Sequence, residues 1–109
     1  MGKPVIGEVV VLTFPQTDLQ IGKRRPALVV ASLSGDDLIL CQITSQSRRD
    51  AYSVFLGSND FDQGSLNLDS FIRCSRLFTV ERSVILYSAA RVRQGKLDEV
   101  RNRIRDLFT

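Results

Sequence analysis

The stretch that decides the fold runs Gly7-Glu8-Val9-Val10-Val11-Leu12-Thr13-Phe14-Pro15, through a polar segment, to Lys23-Arg24-Arg25-Pro26-Ala27-Leu28-Val29-Val30. Its first part is β-branched and apolar, the composition of a strand. Pro15 ends that strand. Gln16 to Arg25 is polar, contains Gly22 and closes on three consecutive cations. It reads as a loop long enough to reach a ligand. Pro26 then opens a second strand, Ala27 to Ser32, whose unbroken apolar run implies burial on both faces. Ser34-Gly35-Asp36-Asp37 is a tight turn, and Leu38 to Thr44 returns as the second arm of a hairpin.

Outward from this hairpin the pattern stays short and β-like. Ser45 to Asp50 is a second polar loop and carries Arg48 and Arg49. Tyr52 to Leu56 reads as a short strand, Gly57 to Gly64 as a loop and Leu66 to Leu68 as extended chain. Ser70 to Cys74 alternates as a strand does, and Leu77 to Val80 continues it past a kink. Glu81 to Val92 fits a helix or a strand equally. Leu97, Val100, Ile104, Leu107 and Phe108 recur at helical spacing, with Gln94 and Gly95 before them and Asp98 and Glu99 in the first turn. Arg101, Arg103 and Arg105 fall on the solvated faces of that helix. Five to six short strands followed by one helix predict an α+β, mainly β fold. A twisted antiparallel sheet or small barrel would close it. No repeat or linker interrupts residues 1–109, which read as a single domain.

Composition narrows the chemistry. At 109 residues and 43% hydrophobic, the chain buries roughly two-thirds of its unfolded surface without disulfides or metal. No apolar run reaches the ~20 residues of a membrane helix. The first residues lack the pattern of a secretory signal, so a cytoplasmic protein is expected. There is no histidine, which removes histidine triads, His-ligated zinc and a His base. Cys41 and Cys74 lack CxxC spacing; two buried thiols are the simpler expectation, a disulfide the alternative. No metal or other cofactor is expected. Of 15 cations 12 are arginine, and the net charge is +3. An arginine-biased basic domain suits an anionic partner, nucleic acid foremost. Phosphate-loop, HExxH and GxSxG motifs are absent.

The strand, long loop, cationic cluster and Arg25-Pro26 strand resemble the opening of the MazF/PemK/Kid-type toxins of bacterial type II toxin–antitoxin systems. Ile43-Thr44-Ser45, Phe71-Ile72-Arg73-Cys74 and the closing amphipathic helix agree in order and spacing. The resemblance covers nearly the whole chain. It implies an SH3-like barrel with a C-terminal helix, forming a homodimer. It also implies a sequence-specific, metal-independent endoribonuclease acting on single-stranded mRNA and restrained by a cognate antitoxin.

By the same resemblance Arg25, Thr44 and Arg73 are the candidate catalytic residues. Lys23, Arg24, Ser45, Gln46, Arg48, Arg49 and Ser75 are the candidate RNA contacts. The chemistry is compatible: the arginines suit phosphate charge, and Thr44 offers a hydroxyl to a phosphate oxygen or to the 2′-OH. Each residue also has a plain structural reading. Arg25 could brace its loop against Asp18, Thr44 could cap a turn and Arg73 could stand exposed on its strand. Two departures stand out. Ser75 occupies a place where the Kid branch has an acid, and the histidine which that branch uses is missing, so no residue is assigned as the base. Two other readings remain open: a CcdB-like toxin that binds DNA gyrase without catalysis, and a nucleic-acid-binding barrel that has lost cleavage.

Overall fold

The computed structural model describes residues 2–14, 23–47 and 50–109. Seven strands and one helix follow in order: β1 (Glu8–Phe14), β2 (Lys23–Ser32), β3 (Asp37–Thr44), β4 (Ser53–Leu56), β5 (Phe61–Gly64), β6 (Ser70–Glu81), β7 (Ile85–Val92) and α1 (Gln94–Asp106). Single 3-10 turns precede β5 and β7. All pairings are antiparallel, in the order β4-β6-β3-β2-β1-β7-β5. The sheet curls into a half-barrel with one C-terminal helix, and β4 and β5 are its two edges.

The central strands are buried on both faces, as the apolar run of β2 requires. Val9, Leu28, Ile43, Val54, Ile72 and Val92 meet Leu97 and Val100 of α1 on one face. Val10, Leu12, Ala27, Val29, Leu38 and Leu40 form a second cluster on the other, flanked by Phe14, Phe78, Val80 and Ile85. Leu28 and Leu40 are fully buried, each contributing about 2 kcal/mol of transfer free energy. Lys96 ties the two edges together. Its Nζ donates to the Phe55 carbonyl at 2.8 Å and lies 3.6 Å from Asp60.

Several sequence expectations need correction. The cations Lys23, Arg24 and Arg25 lie inside β2, not in a loop before it, and Pro26 lies within the strand rather than at its start. Pairing explains this. Residues 23–26 pair with β1, whereas the β3 ladder begins only at Ala27. Pro26 therefore stands where β2 has a free edge, and its missing N–H costs no ladder bond. Phe61–Gly64 is an edge strand on β7 instead of loop, and Leu66 to Leu68 is irregular rather than extended. Glu81 to Val92 resolves into a 3-10 turn and a strand. The helix starts at Gln94, which moves Asp98 and Glu99 into its second turn. Seven strands form among the described residues, more than the five to six expected.

Candidate functional site

The site is built by strand register. In β3, Gln42 lies opposite Ala27 of β2 and opposite Arg73 of β6. Thr44 lies opposite Phe71. Residues paired across strands share a face, and so do residues two apart. Gln42, Thr44, Phe71 and Arg73 are therefore on one face, joined by Ser53 and Phe55 of β4, which pair with Arg73 and Phe71. Arg25 stands two residues before Ala27, on the same face, where an extended ladder would set it opposite Thr44. The three candidate catalytic residues thus occupy one face of the half-barrel, on three adjacent strands.

Their local environments differ. Arg25, Thr44 and Arg73 are all half-buried. The Thr44 Oγ1 accepts the Gln46 backbone N–H at 3.1 Å, which shapes the chain as it leaves β3. The Thr44 hydroxyl keeps its own proton as a donor. Arg73 Nη1 donates to the Gln42 Oε1 at 3.4 Å, a long bond that ties the guanidinium to its β3 neighbour. The Ser53 hydroxyl, across from Arg73, is buried and has no hydrogen-bond partner among the described residues. Phe55 is 48% exposed and meets Phe71 edge to face at 5.6 Å. An aromatic platform therefore adjoins the cations, an arrangement suited to unstacked bases.

The candidate RNA contacts divide. Ser45 and Gln46 are exposed directly after Thr44. Lys23 shares the Arg25 face, while strand alternation turns Arg24 to the opposite face. Ser75 lies in a bulge. Between Arg73 and Leu77, strand β6 carries Cys74, Ser75 and Arg76 with no β3 residue opposite them. The bulge puts Ser75 in a separate depression of about 590 Å³, lined by Ala51, Tyr52, Arg103, Asp106 and Leu107. Arg103 is not merely solvated, since its Nη1 donates to the Ala51 carbonyl at 2.6 Å. Arg48, Arg49 and Asp18 lie outside the described residues.

Both thiols are free and buried. Burial pushes Cys41 up to about 12, with Cys74 adding to the shift. Burial likewise pushes Cys74 up to about 11, with Arg103 opposing. Neither is a nucleophile at neutral pH. Among the described residues no three His, Cys, Asp or Glu side chains gather as metal ligands. No helix among them is long and apolar enough to cross a membrane.

A family model described as the PemK-like, MazF-like toxin of type II toxin–antitoxin systems matches residues 6–108. The chain belongs to that family. Solved structures agree on the fold. MazF from Deinococcus radiodurans is 26% identical, with a TM-score of 0.76 over 99% of this chain and 98% of that one. The same organism's MazE–MazF structure, in a second crystal form, gives 25% and 0.80 over 99% and 97%. An endoribonuclease from a mycobacterial species is 16% identical at a TM-score of 0.75, over 99% and 93%. Comparison with curated proteins found no match.

Sequence reasoning missed Gln42, Ser53 and Phe55. Gln42 carried a usable signal, because it stands two residues before Thr44 in one strand and so shares its face. Ser53 and Phe55 carried none, because their place depends on which strand pairs with β6.

Proposed function

We propose that this toxin is a metal-independent, sequence-specific endoribonuclease that cuts single-stranded mRNA. The observation that carries the reading is the shared sheet face of Arg25, Thr44 and Arg73. Metal-independent cleavage uses the ribose 2′-OH as an internal nucleophile. The enzyme must align it with the phosphorus and the leaving 5′ oxygen, neutralise the phosphorane and assist two proton transfers. Arg25 and Arg73 hold the phosphate and stabilise its developing charge, work that suits a permanently charged fork better than proton transfer does. The Thr44 hydroxyl donates a hydrogen bond to a phosphate oxygen. Lys23, Ser45 and Gln46 extend the contact along the strand of RNA, with Arg48 and Arg49 as further contacts; Arg24, on the opposite face, and Ser75, in its separate depression, lie off that path. The relatives described as endoribonucleases support the activity. Incubation of long single-stranded RNA with the protein in EDTA tests it: discrete internal cuts are expected, and intact RNA refutes it.

The same reading makes the protein a cytoplasmic homodimer of a single-domain chain, held in check by an acidic antitoxin segment that folds over the Lys23 and Arg25 face. Deinococcus MazE–MazF supports an antitoxin partner. Sedimentation at micromolar concentration is expected to show twice the 12.2 kDa chain mass. Neutralising Lys23 and Arg25 is expected to weaken the antitoxin complex. A monomer alone, or an unchanged affinity, refutes the respective claim.

A further inference from the structure

The bulge in β6 does more than carry Ser75 away from the candidate site. It also delivers Arg76 to a small cleft of about 230 Å³, whose other walls are Phe14, Gln42, Leu77 and Phe78. Gln42 touches both places, since it lines this cleft and accepts the Arg73 hydrogen bond. The cleft therefore adjoins the face that holds Arg25, Thr44 and Arg73.

The walls combine two kinds of group. Phe14 and Phe78 meet edge to face, with ring centroids 5.1 Å apart and planes at 69°. In that geometry the ring that presents its edge keeps its own faces for stacking. A base with a π-face fits such a wall at little cost in specificity. The polar groups supply the discrimination. A guanidinium only donates, so Arg73 must bond the oxygen of the Gln42 carboxamide. Gln42 then offers the donors of its NH₂ beside the second lone pair of its oxygen. Arg76 is exposed, forms no salt bridge with a described residue and brings a fork of N–H donors. The cleft thus pairs an aromatic wall with side chains rich in donors.

We propose that this cleft is a guanine-binding subsite of the RNA site. The inference rests on the RNA-cleaving reading given above. Guanine's Hoogsteen edge carries two adjacent acceptors, O6 and N7, with no donor on that edge, and an arginine fork bonds both. Adenine sets an amino group beside N7, and cytosine sets one beside its N3 and O2 acceptors, where it would face the Gln42 NH₂. Uracil's two acceptors, O2 and O4, are separated by its N3–H. A stacked guanine whose O6 and N7 meet Arg76, with the Gln42 amide at O6, gives both side chains an acceptor. Gln42 then links base recognition to the Arg73 position.

Binding of short, uncleavable oligonucleotides tests the subsite. Five-nucleotide probes with 2′-deoxy sugars carry uracil throughout, except for one guanine, adenine, cytosine or 7-deazaguanine moved through each position. Fluorescence anisotropy with the wild-type chain is expected to show guanine favoured about 10-fold at one position. 7-deazaguanine, which lacks N7, is expected to lose that advantage. Arg76→Met and Gln42→Leu, each with an unchanged circular dichroism spectrum, are expected to cut the preference to roughly 3-fold or less. A guanine preference without RNA cleavage would support the subsite and remove the nuclease reading. RNA cleavage without any base preference in these probes would leave the nuclease and overturn the subsite. An equal loss for all bases in both variants would mark a phosphate contact and overturn it too.

Discussion

Replacing Arg73 with alanine removes one half-buried cation from the face it shares with Thr44 and Arg25. The Arg73 bond to Gln42 is long, at 3.4 Å, so its loss falls at the low end of the ~0.5–1.5 kcal/mol of a typical hydrogen bond. The effect on catalysis is far larger. Removing one preorganised donor from a developing oxyanion costs about 100- to 1,000-fold in rate. Arg73→Ala is therefore expected to lower cleavage by at least ~100-fold, and Arg25→Ala likewise. Thr44→Ala is expected to lose about 5-fold, the scale of one neutral hydrogen bond, because water replaces the hydroxyl. The assay is single-turnover cleavage of a long RNA at saturating enzyme, with circular dichroism as the folding control. Near wild-type rates from both arginine variants would refute the argument from register and move the active site elsewhere.

Two further outcomes follow from the fold. Cys41 and Cys74 are held neutral well above the ordinary thiol value of 9.0. The unfolded chain therefore releases their protons first, so stability present below pH 9 declines as pH rises towards 11 and 12. Denaturant titrations should show this decline, shallower in Cys41→Ala, and a thiol reagent should label the native chain at pH 8 no faster than it unfolds. Gly64 has φ +65° in β5, and a Cβ there would strike the Ala89 carbonyl oxygen and come within 3.0 Å of the Ala90 Cα. Gly64→Ala should cost about 2 kcal/mol, whereas Gly95→Ala, with nothing within 4 Å, should gain roughly 0.5–1 kcal/mol in the helix; equal stabilities would contradict both.

The opening hairpin was legible because local rules settled it. β-branched runs made β1 and β2, and Gly35, at φ +72°, made the turn into β3. β5 was not legible, since Phe61 is the only apolar residue of its four and only pairing with β7 makes it a strand. Tertiary pairing also drew Lys23, Arg24 and Arg25 into β2, where alternation separates Arg24 from its neighbours. Arg25, Thr44 and Arg73 were chosen by resemblance, and their common face follows from a β3–β6 register that no local pattern encodes. The β6 bulge shows the same limit. A kink before Leu77 was readable, but its consequence for Ser75 and Arg76 was not.

The central claim is that the ribose 2′-OH attacks its own phosphate under the arginines, without metal. The most direct measurement follows an RNA cut by the wild-type chain in EDTA, against the same RNA with a single 2′-deoxy sugar at the mapped cut. The account predicts a 5′ product ending in a 2′,3′-cyclic phosphate, a 3′ product beginning with a 5′-hydroxyl, and no cut at the deoxy position. Cleavage that persists at the deoxy sugar, or that stops in EDTA and returns with a divalent cation, would contradict it.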